Sequence, residues 1–280
     1  MAETIKAHLL LVASGFFLVE SMVLRADDGL AVMRLPTTDE IIHAEVWVRP
    51  ARKKDPAAVI VLCPGQNGSA EGWLRQSDWQ AFADRHHLAL AGLHFQSKDE
   101  DLQNGKGYFA ASRGSGKLLE EALSRAGLGQ QPVFLYGFSG GAHFAISYAV
   151  WHPERVKGVC AYSFGWWKAP PAGISFPALV VCGQADGTRY GATFAYFQTG
   201  RRLGQPWTWI SLGATPHALS PRLDGFVRSY IECLLASPSE WVVVNNLTKR
   251  VMDAQESNEL STSVLPGGDL LPAWRDIHYP

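Results

Sequence analysis

The 280 residues predict an α/β fold, with a mostly parallel central sheet, helices on both faces and antiparallel strands at the N-terminal edge. Three observations predict it. Continuously apolar runs alternate with helical periodicity over residues 57–235, and an apolar run marks a strand covered on both faces. The stretch before them alternates apolar and polar residues, as a half-buried antiparallel strand does. Parallel strands need crossovers, and helices are readable where the crossovers should be.

In chain order, Lys6 precedes an apolar run from Leu9 to Val19, which has signal-peptide length and is too short to span a bilayer. Residues 1–24 are therefore expected to be a leader, which puts the protein in a secreted or periplasmic location. Glu3, Glu20 and poor cleavage sites leave an ordinary first strand, in a cytoplasmic protein, as the alternative. Residues 22–24, 30–35 and 41–48 read as edge strands, and 50–56 as a charged turn. Strands are then expected at 57–63, 88–93, 132–136, 156–162, 178–182 and 207–212. Helices are expected near 73–83, 117–126, 142–150, 193–203 and 219–235. Residues 25–236 form the expected domain. Residues 237–280 read as a C-terminal tail with one strand-like piece at 241–244.

Composition narrows the function. At 47% hydrophobic and 18% charged, the chain suits one large globular domain. A net charge of −1 supplies no basic surface for nucleic acid. The four cysteines stand far apart without C-x-x-C pairs, and three of them end apolar runs and read as small buried hydrophobes, so neither a disulfide framework nor a zinc site is expected. His86, His87 and Glu71 form no zinc spacing. Gly114-Ser115-Gly116-Lys117 lacks the first glycine of a phosphate loop and reads as a helix start.

The chemistry points elsewhere. Gly137-Phe138-Ser139-Gly140-Gly141 lies between an apolar strand and a helix, the setting in which G-x-S-x-G forms a nucleophile elbow. The alternative is a glycine-rich helix start with Ser139 as its cap. A serine nucleophile needs a base and a group to orient that base, in the order Ser, acid, His. Asp186 follows the strand ending at Cys182, although a turn aspartate before glycine is common. His217 follows the strand ending at Leu212. The expected catalytic set is Ser139, Asp186 and His217. Oxyanion donors are expected at the backbone N–H groups of Gly140 and Gln66, with Asn67 next in line, in the loop after the first parallel strand. His143 reads as a packing residue, and His94 as a structural or substrate-contacting one.

Residues 57–235 resemble the α/β-hydrolase superfamily. Leu135-Tyr136-Gly137-Phe138-Ser139-Gly140-Gly141-Ala142, followed by His152-Pro153-Glu154-Arg155-Val156, is similar to its polyhydroxybutyrate-depolymerase and feruloyl-esterase-like branch. The resemblance implies a Ser–Asp–His hydrolase working through an acyl-enzyme on small-molecule or polymer esters, with no metal or organic cofactor. Pro64 departs from it, since many members carry histidine there. Only 14 residues, 163–176, are available for a lid, so no large cap domain is expected. Trp166 and Trp167 become either an aromatic wall for substrate, together with Asn67, or simple cover. The alternatives in function are a prolyl-oligopeptidase-type serine peptidase and a non-catalytic binding protein on the same fold.

Overall fold

Strands without a single exposed residue make up the middle of the sheet. The computed structural model describes residues 23–25, 29–165, 168–253 and 261–279. In chain order its strands are β1 (Val23–Arg25), β2 (Ala31–Arg34), β3 (His43–Arg49), β4 (Ala58–Cys63), β5 (Leu88–Gln96), β6 (Val133–Phe138), β7 (Val156–Tyr162), β8 (Ala178–Gly183) and β9 (Trp207–Leu212). They form one sheet in the order β1-β2-β3-β5-β4-β6-β7-β8-β9. The pairs from β1 to β3 and β3 with β5 are antiparallel, and the pairs from β5 through β9 are parallel. Burial explains the difference. β4, β8 and β9 are buried at every position, whereas β3 alternates buried and half-buried residues. The expected leader lies outside the described residues, except that Val23 and Leu24 pair with β2.

Helices cover both faces. α4 (Ser115–Arg125), α5 (Gly140–Trp151) and α6 (Thr188–Arg202) lie over one core, and α1 (Glu71–Leu74), α2 (Ser77–Arg85) and α7 (Pro221–Leu235) over the other. α7 shows how sequence dictates this. Pro221 opens it, the Ser220 hydroxyl accepts from Leu223 N–H at 3.4 Å, and Leu223, Phe226, Val227, Tyr230 and Leu234 bury one stripe. α5 is apolar nearly all round because it lies against both β6 and β7. A short α3 (Asp99–Gln103) follows β5. The β7–β8 connection, residues 163–177, carries no helix among its described residues, so no cap domain is inserted there. Cys63, Cys160 and Cys182 are free and buried, and burial raises the pKa of each thiol. Among the described residues no helix is long and apolar enough to cross a membrane.

The C-terminal segment read as a tail packs against the sheet. β10 (Val242–Asn245) pairs antiparallel with β11 (Thr262–Leu265), and α8 (Leu271–Ile277) follows. The Ser263 hydroxyl accepts from Trp209 N–H at 2.7 Å, which ties β11 to β9. Trp274 is fully buried and donates its indole N–H to Trp209 O at 3.0 Å. The sequence pattern hides this because the burial partner is the edge of β9, some fifty positions away.

Candidate active site

The site is built at the carboxyl ends of β6, β8 and β9, where loops of a parallel sheet collect functional groups. β6 ends at Phe138 and α5 begins at Gly140, so Ser139 alone must turn the chain. It does so at φ 52° and ψ −117°, a left-handed conformation rare for a residue with a side chain. Ser139 N–H donates to Tyr162 O at 2.8 Å, and Ser139 O accepts from Ala142 N–H at 3.0 Å, which holds the turn. Such strain costs on the order of 1–3 kcal/mol and persists only where the surroundings impose it. Here the constraint is close approach. A Cβ at Gly141 would stand 2.1 Å from Cys63 O, so the first turn of α5 touches the end of β4 and only glycine fits.

The carboxylate and the imidazole arrive on two touching loops. Asp186 follows β8, and His217 lies between β9 and α7. Gln184 N–H donates to Leu212 O at 2.9 Å and Ala185 N–H to Thr215 O at 3.0 Å, which locks the loops together. His217 Nδ1 lies 2.9 Å from Asp186 Oδ2, and His217 Nε2 lies 3.0 Å from Ser139 Oγ. The Asp186 carboxylate is 1% exposed and the imidazole 31%. An ionised carboxylate only accepts, so Nδ1 carries the imidazole proton and Nε2 faces the hydroxyl with a lone pair. Arg189 lies 3.5 Å from Asp186 Oδ1, and Phe138 packs beside the imidazole at 4.8 Å between ring centres.

The loop after β4 closes the other side. A Cβ on Gly140 would stand 2.9 Å from Gln66 N, so the amides of these two residues border one small space beside Ser139. Among the described residues no hydrogen bond engages Gln66 N–H, and its side chain is anchored by Nε2 donating to Asp99 Oδ1 at 2.8 Å. Asn67 differs. Its N–H donates to Tyr108 Oη at 3.1 Å, and its side chain pairs with the Ser97 backbone at 3.1 and 3.0 Å. Those bonds occupy the groups that an oxyanion or substrate contact would use. Tyr108 and Phe138 were not singled out in the sequence. The only signal for Phe138 was its place beside the serine. Trp166 and Trp167 lie outside the described residues. His143 packs between Phe109 and Phe164, at 5.0 and 5.5 Å. His94 sits on β5 facing His43 of β3.

Solved structures share this framework. LpqC, a poly(3-hydroxybutyrate) depolymerase from Bordetella parapertussis, superposes with a TM-score of 0.51 at 17% identity, covering 83% of this chain and 94% of its own. FphF, a fluorophosphonate-binding serine hydrolase of Staphylococcus aureus, gives 0.54 at 13% identity over 74% and 98% of the two chains. A carboxylesterase from Mesorhizobium loti gives 0.52 at 15% identity over 70% and 95%. The chain has the α/β-hydrolase fold. No protein-family model and no curated protein matches its sequence. On this fold, a hydroxyl, an imidazole and a carboxylate in hydrogen-bonded series can support acyl transfer.

Proposed function

We propose that this protein is a serine hydrolase that cleaves carboxylic esters through an acyl-enzyme on Ser139. One observation carries the reading: Ser139, His217 and Asp186 are linked by contacts of 3.0 and 2.9 Å on a strained strand-to-helix turn. The esterases and the depolymerase among the structural neighbours support the choice of ester over other acyl groups.

Ser139 Oγ attacks the ester carbonyl while His217 Nε2 takes its proton. Asp186 fixes the tautomer and stabilises the imidazolium. The N–H groups of Gly140 and Gln66 hold the developing oxyanion, and losing one such donor costs about 3 kcal/mol. Collapse of the intermediate expels the alcohol, which leaves with the proton from Nε2. Water then attacks the acyl-enzyme with His217 as base, freeing the acid and restoring Ser139. Asn67 serves by shaping the donor loop, while Trp166 and Trp167 remain our candidates for the substrate wall. A leader at residues 1–24 and action outside the cytoplasm belong to the same reading.

The test is turnover of p-nitrophenyl esters of graded acyl length, with feruloyl, polyester and peptide-amide substrates beside them. Wild type should hydrolyse at least one ester faster than the amide. Ser139→Ala should lose about 10⁴-fold or more in kcat. Full activity in Ser139→Ala would refute the nucleophile, and faster amide cleavage would favour a peptidase.

A further inference from the structure

We propose a second site on this protein, a zinc-binding centre formed by His43, Glu45 and His94 on the face of the sheet across β3 and β5. His43 and Glu45 are two apart on β3 and share a face. The antiparallel register puts Glu45 opposite His94 and His43 opposite Gln96, so all four side chains lie on one patch. Three ligand atoms converge there. His43 Nε2 lies 3.2 Å from His94 Nδ1 and 3.4 Å from Glu45 Oε2, and His94 Nδ1 lies 3.5 Å from the same oxygen.

Those separations fit a tetrahedral ion. The point equidistant from the three atoms lies about 2 Å from each, the bond length zinc makes to imidazole nitrogen and carboxylate oxygen. Two nitrogens and one carboxylate oxygen suit Zn²⁺ better than Mg²⁺ or Ca²⁺, which favour oxygen alone. The fourth position is open, since the side chains of His43 and His94 are 35% and 23% exposed. The surroundings already orient the ligands. Arg34 donates to Glu45 Oε1 at 3.1 Å and leaves Oε2 toward the imidazoles. The Gln96 amide stands 3.1 Å from His94 Nε2, and turning it over presents its oxygen to the Nε2–H of a ligating ring. As it stands, Gln96 Nε2 instead donates to Asn67 O at 3.3 Å, a bond to the loop carrying Gln66 that turning the amide over gives up. A search for zinc spacings passes over this set because 51 positions separate His43 from His94 and the sheet register alone joins them.

The proposal is independent of the hydrolase reading. It is tested on the purified full chain, stripped with a chelator, equilibrated with Zn²⁺ and assayed for retained metal and for affinity by chelator competition. One zinc per chain is expected in wild type, in Ser139→Ala and in the control His87→Gln. His94→Ala and Glu45→Gln should each weaken binding about 100-fold or more, beyond the usual loss from an outer partner. His43→Gln, at the most exposed ligand, supplies the same reading if either of those fails to fold. Co²⁺ in place of zinc should give the intense visible bands of a four-coordinate ion. Failure of wild type to retain zinc would overturn the site and leave a cluster that shares only protons. Retention unchanged in all three ligand variants would overturn it equally, by placing the metal elsewhere.

Discussion

Ser139 keeps its backbone at φ 52° although it carries a side chain, and nothing about fold stability calls for a serine there. Glycine adopts that conformation without the Cβ penalty. Ser139→Gly is therefore expected to raise unfolding free energy by about 1 kcal/mol while abolishing ester turnover. Denaturant unfolding of the variant beside wild type measures it. A loss of stability would mean that the turn is not strained. At this scale the three residues that the structure brings together, Ser139, Asp186 and His217, were legible because each sits in a loop directly after an apolar run. Asn67 was less so. Its type suits a substrate contact, and only the fold reveals that Ser97 and Tyr108 occupy its polar groups.

At the scale of elements, the buried strands were the most legible, since β4, β6, β8 and β9 carry runs that no helix period interrupts. Boundaries were less so. The helical stretch expected near 73–83 divides into α1 and α2, and Gln80 Nε2 reaches back to Leu74 O at 3.0 Å to satisfy the carbonyl the break exposes. α6 begins at Thr188, five residues early, because its first turn has little apolar periodicity of its own. β11 and α8 were missed because their burial is decided by β9. The closeness of β4 to α5 was readable only as a run of glycines. The structure gives it a physical reason in the 2.1 Å that a Cβ on Gly141 would leave to Cys63 O.

Over the whole molecule, the C-terminal segment packs against β9 and carries a buried histidine, His278, just after α8. His278 Nδ1 accepts from Ser211 N–H at 3.1 Å, and Nε2–H donates to Asn246 O at 2.8 Å, so the neutral ring is fully paired. Burial lowers its pKa from 6.5 to about 4. Below pH 6.5 the unfolded chain binds a proton that the folded chain refuses. The stability this histidine contributes is thus complete above pH 6.5 and falls as pH drops to about 4, by up to about 3 kcal/mol. Urea unfolding at pH 7 and pH 4.5 should show a smaller drop in His278→Gln than in wild type. Equal drops would mean that the ring is not held neutral. The same sheet joins three side chains distant in sequence, and that junction is the central claim. It is tested most directly by labelling the native protein with a fluorophosphonate and mapping the adduct by peptide mass spectrometry. The account predicts one adduct, on Ser139, formed at least 100-fold more slowly in His217→Ala, since a general base contributes about 10²–10⁴-fold. An adduct on another residue, or labelling at an unchanged rate without His217, would contradict it.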